Sequence, residues 1–313
     1  MNYRQKLAEN TFRWSRNILY VDRSLIVLNK PPGLVSQIDP TTTKTEGGNL
    51  AKFLDDVKQS LELASPPYGV HRLDKGTTGC LLLPLNSNLV QDLSQRFRTG
   101  QISKTYLALV RGTPQDFAQK SGEIQTLLEY PNGRPTIAER DGPGTQEAAT
   151  KWELVASSPR VPLSLLRLTP LTGRKHQLRV HLNEVLRTPI LGDTQHFHGF
   201  LPGAATLDVA LPPDRLFLHA SQISLFRFRR SGGQKRFMLR FCAPLPEDFV
   251  NVCSEADIPL GEYERFGGLS KSESGREEDF EHVTEIPEMN GYWIPQPYIE
   301  YKQTQNKVHT SIH

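Results

Sequence analysis

Five consecutive residues, His71-Arg72-Leu73-Asp74-Lys75, hold the densest run of potential chemistry in the chain, and an apolar stretch, Cys80 to Leu83, follows almost at once. Asp74 admits three roles. It can serve as a turn residue whose carboxylate accepts from nearby backbone amides, the commonest use of an Asp in such a place. It can be a nucleophile that forms a covalent intermediate. It can ligate a metal, although no second carboxylate lies close by in sequence to help it. Thr77, Thr78 and Gly79 between the acid and the apolar run suit a shaped loop. Their hydroxyls can bond its backbone, and a glycine permits a left-handed backbone angle.

Such a loop needs elements to hold it. Ile18–Tyr20 and Leu25–Leu28 read as two short strands around Asp22-Arg23-Ser24, ended by Pro31-Pro32-Gly33. Residues 37–49 read as a turn-rich loop. Apolar Leu50, Phe53, Leu54, Val57 and Leu61 predict a helix over Leu50–Leu63, and Leu89, Leu93 and Phe97 another over Asn88–Phe97, ended by Thr99-Gly100. Strands are expected at Lys104–Val110, Thr150–Val155 and Leu163–Leu168, with a Pro/Gly/Arg-rich loop over 131–147. Thr172-Gly173 precedes a helix over 176–187 with apolar Leu178, Leu182, Val185 and Leu186, stopped by Pro189. Residues 198–214, rich in Pro and Gly, read as loop. Leu216–Leu225 and Arg236–Phe241 form a strand pair across Ser231-Gly232-Gly233. Strands scattered among helices without βαβ alternation imply an α+β fold, with a mixed, mostly antiparallel sheet and flanking helices and loops around a catalytic cleft. The expected organisation is an N-terminal extension (1–16), a catalytic domain (17–252) and a polar C-terminal extension (253–313). In that last part GLSKSESGREEDFEH has the composition of a disordered segment, while GYWIPQPYIEY has the aromatics to dock on the body.

DKGTTG resembles the phosphorylation loop DKTGT of P-type ATPases, but Gly76 separates Lys75 from the first threonine, and no segment here approaches the ~20 apolar residues of a membrane span. HRLDKGTTG, residues 71–79, more fully resembles the HRLDxxTSG signature of RluA-type RNA pseudouridine synthases. The family's other motifs follow in order: NILYVDRSLIVLNKPPGLVSQ, SKTYLALVRG (103–112), TGRKHQLRVHL (172–182), TPILGD (188–193) and RLFLHA (215–220). The resemblance covers about residues 17–245. Thr78 stands where the family usually has Ser, and TQHFHGF after Asp193 replaces its usual Tyr-Gly turn. An N-terminal S4-type RNA-binding domain, frequent in the family, does not fit into the residues before the first strand.

The resemblance implies isomerisation of uridine to pseudouridine in RNA, ribosomal or transfer, without cofactor or metal. It assigns Asp74 as the essential carboxylate, attacking C6 of the base or C1′ of the ribose, or abstracting the 2′ proton; the sequence does not choose among these. Arg179 would be the cation that keeps Asp74 ionised, because a buried carboxylate without one is driven towards its neutral form. Tyr106 would stack on the uracil and take the C5 proton. Arg72 would replace the extruded base in the helix stack. His71, Arg174, Lys175 and His176 would touch RNA. The bland alternatives are a snorkelling Arg179, a core Tyr106 and solvated basic residues. A catalytically silent RNA-binding protein on the same scaffold is the competing reading.

The formal net charge is +3, compatible with a polyanionic partner. Two basic patches stand out, Gly173–Arg187 and Arg227–Arg240; the second holds six basic residues and no acid. The three cysteines, Cys80, Cys242 and Cys253, are scattered, so no disulfide or zinc site is expected. With no apolar leader at the N-terminus, a cytoplasmic monomer away from membranes is the expectation.

Overall fold

The computed structural model describes residues 15–36, 50–197, 209, 211–229, 233 and 235–296. The expected loop at 37–49, most of that at 198–214, and the turn at Ser231-Gly232 lie outside the described residues. One sheet organises the molecule. In chain order its strands are β1 (Ile18–Val21), β2 (Leu25–Lys30), β3 (Thr78–Pro84), β4 (Ser103–Arg111), β5 (Ser121–Glu129), β6 (Thr136–Ile137) and β7 (Gln146–Ser157). They continue with β8 (Leu163–Pro170), β9 (Leu218–Phe228), β10 (Arg236–Cys242), β11 (Gly268–Ser272), β12 (Glu281–Val283), β13 (Glu285–Ile286) and β14 (Gly291–Trp293). Their spatial order is β13-β14-β1-β2-β3-β9-β4-β8-β7-β5-β6, with β10, β11 and β12 branching from β9. The pairing is antiparallel except between β3 and β9, where Thr78 lies opposite His219 and Gly79 opposite Ala220. The α+β, mostly antiparallel expectation is therefore met.

β9 is the hub. Its first residues pair with β3, and its remainder, from Gln222 to Phe228, pairs with β10. The strand that follows the Asp74 loop is thus joined to the middle of the sheet at only two positions. β1, β2 and β3 are buried along nearly their whole length, as strands covered on both faces must be. The helix Leu50–Leu61 covers one face of them with all five of its expected apolar residues. The helix Ser87–Arg98 begins with the Asn86 side chain accepting from the Leu89 amide, an N-cap in the usual sense.

Three expectations are corrected. β5 was not foreseen, because its burial pattern lacks a clean period of two. The helix over 176–187 is shorter and mixed: an α turn, Gln177–Val180, runs into a π turn, His181–Val185. The wider π turn rotates the stripe, so His181 is buried and Val185 is exposed. The third concerns the C-terminal segment. β11 pairs with β10, and β14 pairs with β1, so residues 268–293 extend the sheet instead of being disordered. Composition counts the acids of this segment but not the arginines they meet: Glu273 pairs with Arg229, Glu277 with Arg240, and Glu288 with both Arg229 and Lys271.

Candidate active site

The segment 30–36 clamps the loop that carries Asp74. Gly33, at φ +81°, donates its amide to the Lys75 carbonyl at 3.0 Å. The buried Lys30 ammonium donates to the same carbonyl (3.1 Å), to that of Leu34 (2.8 Å) and to that of Pro31 (3.1 Å). Burial brings the Lys30 ammonium down to about 7, against the opposing pull of Asp74. Ser36 accepts from the Leu73 amide at 2.9 Å and donates to the Leu73 carbonyl. Asp74 itself closes a turn, its carbonyl accepting from the Thr77 amide at 3.1 Å. Sequence reasoning placed 30–36 in a motif and assigned none of its residues a role; the signal available was a lysine at the end of a mostly apolar strand.

Beyond the turn the chain must pass close to β9. Gly79 has φ +107°, and a Cβ there would collide with the Ala220 carbonyl. The hydroxyl of Thr78 bonds the buried His219 ring at 2.8 Å. The Thr78 hydroxyl thus meets a side chain of β9 and not the backbone of its own loop, and Thr77 is buried beside it.

Asp74 opens into a cleft of about 760 Å³, a size suited to a small ligand. Among the described residues six Lys and Arg side chains line it, Arg72, Arg98, Lys104, Arg174, Lys175 and Arg179, against a single carboxylate, Asp74. Arg179 approaches one Asp74 oxygen at 3.7 Å, but its main partner is Asp193. Its Nε and Nη2 donate to the two Asp193 oxygens at 2.8 and 2.6 Å, and Nη2 also reaches Gln195 at 3.1 Å. The expectation named Asp74 alone as the partner of Arg179; Asp74 is the more distant of two. Asp193 locks the guanidinium plane, which leaves Nη1 aimed at Asp74. Burial works to raise the Asp193 carboxyl, but hydrogen bonds and charge from Arg179 outweigh it and hold the group below its usual range. Asp193 was missed although it ends a quoted motif, because a fork-shaped partner for Arg179 cannot be read from spacing.

Tyr106 lines the cleft from β4, half-buried, with Lys104 two residues before it on the same strand face. Burial, and then the Asp74 charge, push its phenol up. The ring is therefore neutral at pH 7, suited to stacking and to donating a hydrogen bond. Arg72 is exposed at the rim.

The expected RNA-facing set divides. Arg174 and Lys175 are exposed; their side chains reach the Glu147 carbonyl at 2.9 Å and the Gly133 carbonyl at 2.8 Å, and both line the cleft. His71 does not offer a charge. Its Nε2 accepts from the Leu82 amide at 2.8 Å, its ring stacks on Phe97 at 4.4 Å, and burial lowers it to about 3. It anchors the loop to β3. His176 turns inward, its Nε2 lying 3.8 Å from the other Asp74 oxygen. Among the described residues no group of metal-ligating side chains is present, and no helix is long and apolar enough to cross a membrane.

The comparisons with known proteins agree with this geometry. A family model described as RNA pseudouridylate synthase matches residues 24–184. The tRNA pseudouridine synthase C of Pasteurella multocida is 33% identical over 77% of this chain and 91% of that protein. The protein of the same name from Pectobacterium carotovorum is 33% identical over 66% of this chain, which spans 54% of its length. The solved structure of human RNA Pseudouridylate Synthase Domain Containing 4 superposes with a TM-score of 0.62 at 25% identity, covering 83% of this chain and 100% of that one. The chain belongs to the RNA pseudouridylate synthase family.

Proposed function

We propose that this protein isomerises uridines in structured RNA to pseudouridine, with Asp74 as the reactive carboxylate. Transfer RNA is the first substrate class to examine, since two of the relatives bear tRNA in their names; ribosomal RNA is the second. The carrying observation is the lone carboxylate in a cleft lined by six cations. A cationic cleft concentrates a polyanion, and one acid within it, with Arg179 and His176 at 3.7 and 3.8 Å, is the group for attack on C6 or C1′ or for abstraction of the 2′ proton.

The reaction breaks the bond from C1′ to N1, turns the uracil and joins C1′ to C5. No electrons are gained or lost overall, so the proposed route uses no cofactor. The target must leave its stack, at a cost of a few kcal/mol. Arg72, exposed at the rim, stands in for it, since a planar guanidinium stacks on bases. The Tyr106 ring, which lines the cleft, holds the extruded uracil, and its hydroxyl exchanges a proton late. The protein works as a monomer in the cytoplasm.

The test maps pseudouridine in cellular RNA with and without the protein, then with Asp74→Asn. The variant should lose pseudouridine formation at the mapped site by at least ~1,000-fold while binding the same RNA within twofold. Retained activity in Asp74→Asn would overturn the assignment. RNA binding without any mapped pseudouridine would favour the silent binder.

A further inference from the structure

The site holds a second pair of ionisable rings that the reaction above does not use. His176 and His196 share a hydrogen bond, Nδ1 of the first to Nε2 of the second at 2.9 Å, with ring planes 83° apart. His176 has a left-handed backbone, φ 52°, a conformation that costs a non-glycine residue ~1–2 kcal/mol and that clusters at functional sites. That backbone turns its ring towards Asp74. His196 falls in TQHFHGF, the stretch that departs from the family pattern, and it is firmly seated. Its amide donates to Asp193 Oδ1 at 3.2 Å, and its carbonyl accepts from the Asn183 side chain at 2.8 Å.

A neutral imidazole has one donor and one acceptor nitrogen. Two arrangements of the pair are therefore available. If His176 Nδ1 donates, its bare Nε2 lone pair faces the Asp74 carboxylate oxygen, which is repulsive. If His196 donates, His176 carries its proton on Nε2, aimed at Asp74 Oδ1. The charge of Asp74 selects the second arrangement. We infer that His196 is a positioning residue: by donating to His176 Nδ1 it fixes the Nε2–H tautomer of His176, which then holds one oxygen of Asp74 while Arg179 holds the other. Both rings are neutral, because burial lowers them, His196 to about 4. Asp193 anchors both donors, through the Arg179 fork and through the His196 amide. The 3.8 Å gap from His176 to Asp74 is a resting distance of the kind that shortens when substrate is bound. With His176 facing one oxygen and Arg179 the other, the two side chains together set the plane of the carboxylate.

The inference rests on Asp74 as the reactive group, and its test is separable from that reading. Long-range nitrogen–proton NMR on the labelled full-length protein should show His176 as the Nε2–H tautomer in the absence of RNA. His196→Phe should abolish that preference, and His196→Gln, whose amide can donate to Nδ1, should keep it. On unmodified transcripts of the mapped RNA, His196→Phe should lower kcat roughly tenfold with KM within twofold, and His196→Gln should recover most of it. An Nδ1–H tautomer in the wild-type protein overturns the inference even if neither variant folds. An unchanged kcat in a folded His196→Phe overturns it as well. Absence of pseudouridine in every RNA sinks the proposed function, while the tautomer measurement still decides the pairing.

Discussion

Two arginine-rich regions, similar on paper, end in opposite states. On the β9–β10 face Arg227, Arg229 and Arg240 are each paired with acids. Arg227 pairs with the buried Asp22 at 3.0 Å, and Arg229 lies between Glu273 and Glu288. Arg240 meets Glu277 and also lies over the Phe280 ring at 3.6 Å. In the cleft, Arg174 and Lys175 are exposed and bond backbone carbonyls at the distances given above, and among the described residues no carboxylate pairs with either. The difference shows that arginine density does not report a nucleic-acid surface. What matters is whether acids reach it, and on the β9–β10 face most arrive from the C-terminal segment, some 35–60 residues further along the chain.

Arg179→Lys breaks the cleft most severely. A lysine cannot make the two parallel bonds to Asp193 and leave a third donor for Asp74. Turnover should fall about 100-fold, near 2.7 kcal/mol of transition-state stabilisation, with RNA affinity changed less than threefold. Equal loss of kcat and affinity would show that Arg179 serves binding instead.

Acid should separate the two regions. His219 and His181 are fully buried near the cleft, bonded to Thr78 and to Thr150 and Thr126, and burial lowers each to about 4. The unfolded chain binds these protons near 6.5, so it takes them up first as pH falls. Stability is full above 6.5 and declines towards 4, by about 2 kcal/mol for each ring at pH 5. Glu288 is held down to about 2: burial opposes this, but bonds from Lys271 and Arg229 prevail. The arginine–glutamate face should therefore outlast the cleft floor. Urea unfolding at pH 7 and pH 5 measures the decline, and His219→Gln should shrink the difference between the two. An equal pH dependence in that variant would refute the assignment.

The smallest effects test the comparison directly. Replacing Arg174 and Lys175 with Gln should weaken RNA binding several-fold and reduce its salt slope by about 2. Arg229→Gln should leave binding within twofold and lower the melting temperature by a few degrees, because it frees two glutamates. Fluorescence titrations over a salt series distinguish them, and a salt slope altered by Arg229→Gln would mean that its acids are displaced by RNA.

Local pattern carried much of this molecule. The helix at 50–61 was readable because its five apolar residues recur at helical spacing, and β4 because Tyr106, Ala108 and Val110 alternate with Leu107 and Leu109. The ordered motifs from residue 17 onward pointed to Asp74, Tyr106 and Arg179 as one site, and all three line one cleft. The partner of Arg179 was not legible, nor was the clamp of Lys30 and Ser36 on the Asp74 loop, nor the order of residues 268–293.

Side-chain periodicity and turn chemistry are short-range properties, and the chain states them in neighbouring residues. That is how the sequence by itself pointed to the strands that flank the cleft, to most helix bounds and to Asp74 as the candidate acid. The folded chain alone decided which charges cancel. Ion pairs and hydrogen bonds depend on distances between residues far apart in the chain, and the fold alone brought Arg227 against Asp22 and left Arg174 and Lys175 exposed at the cleft.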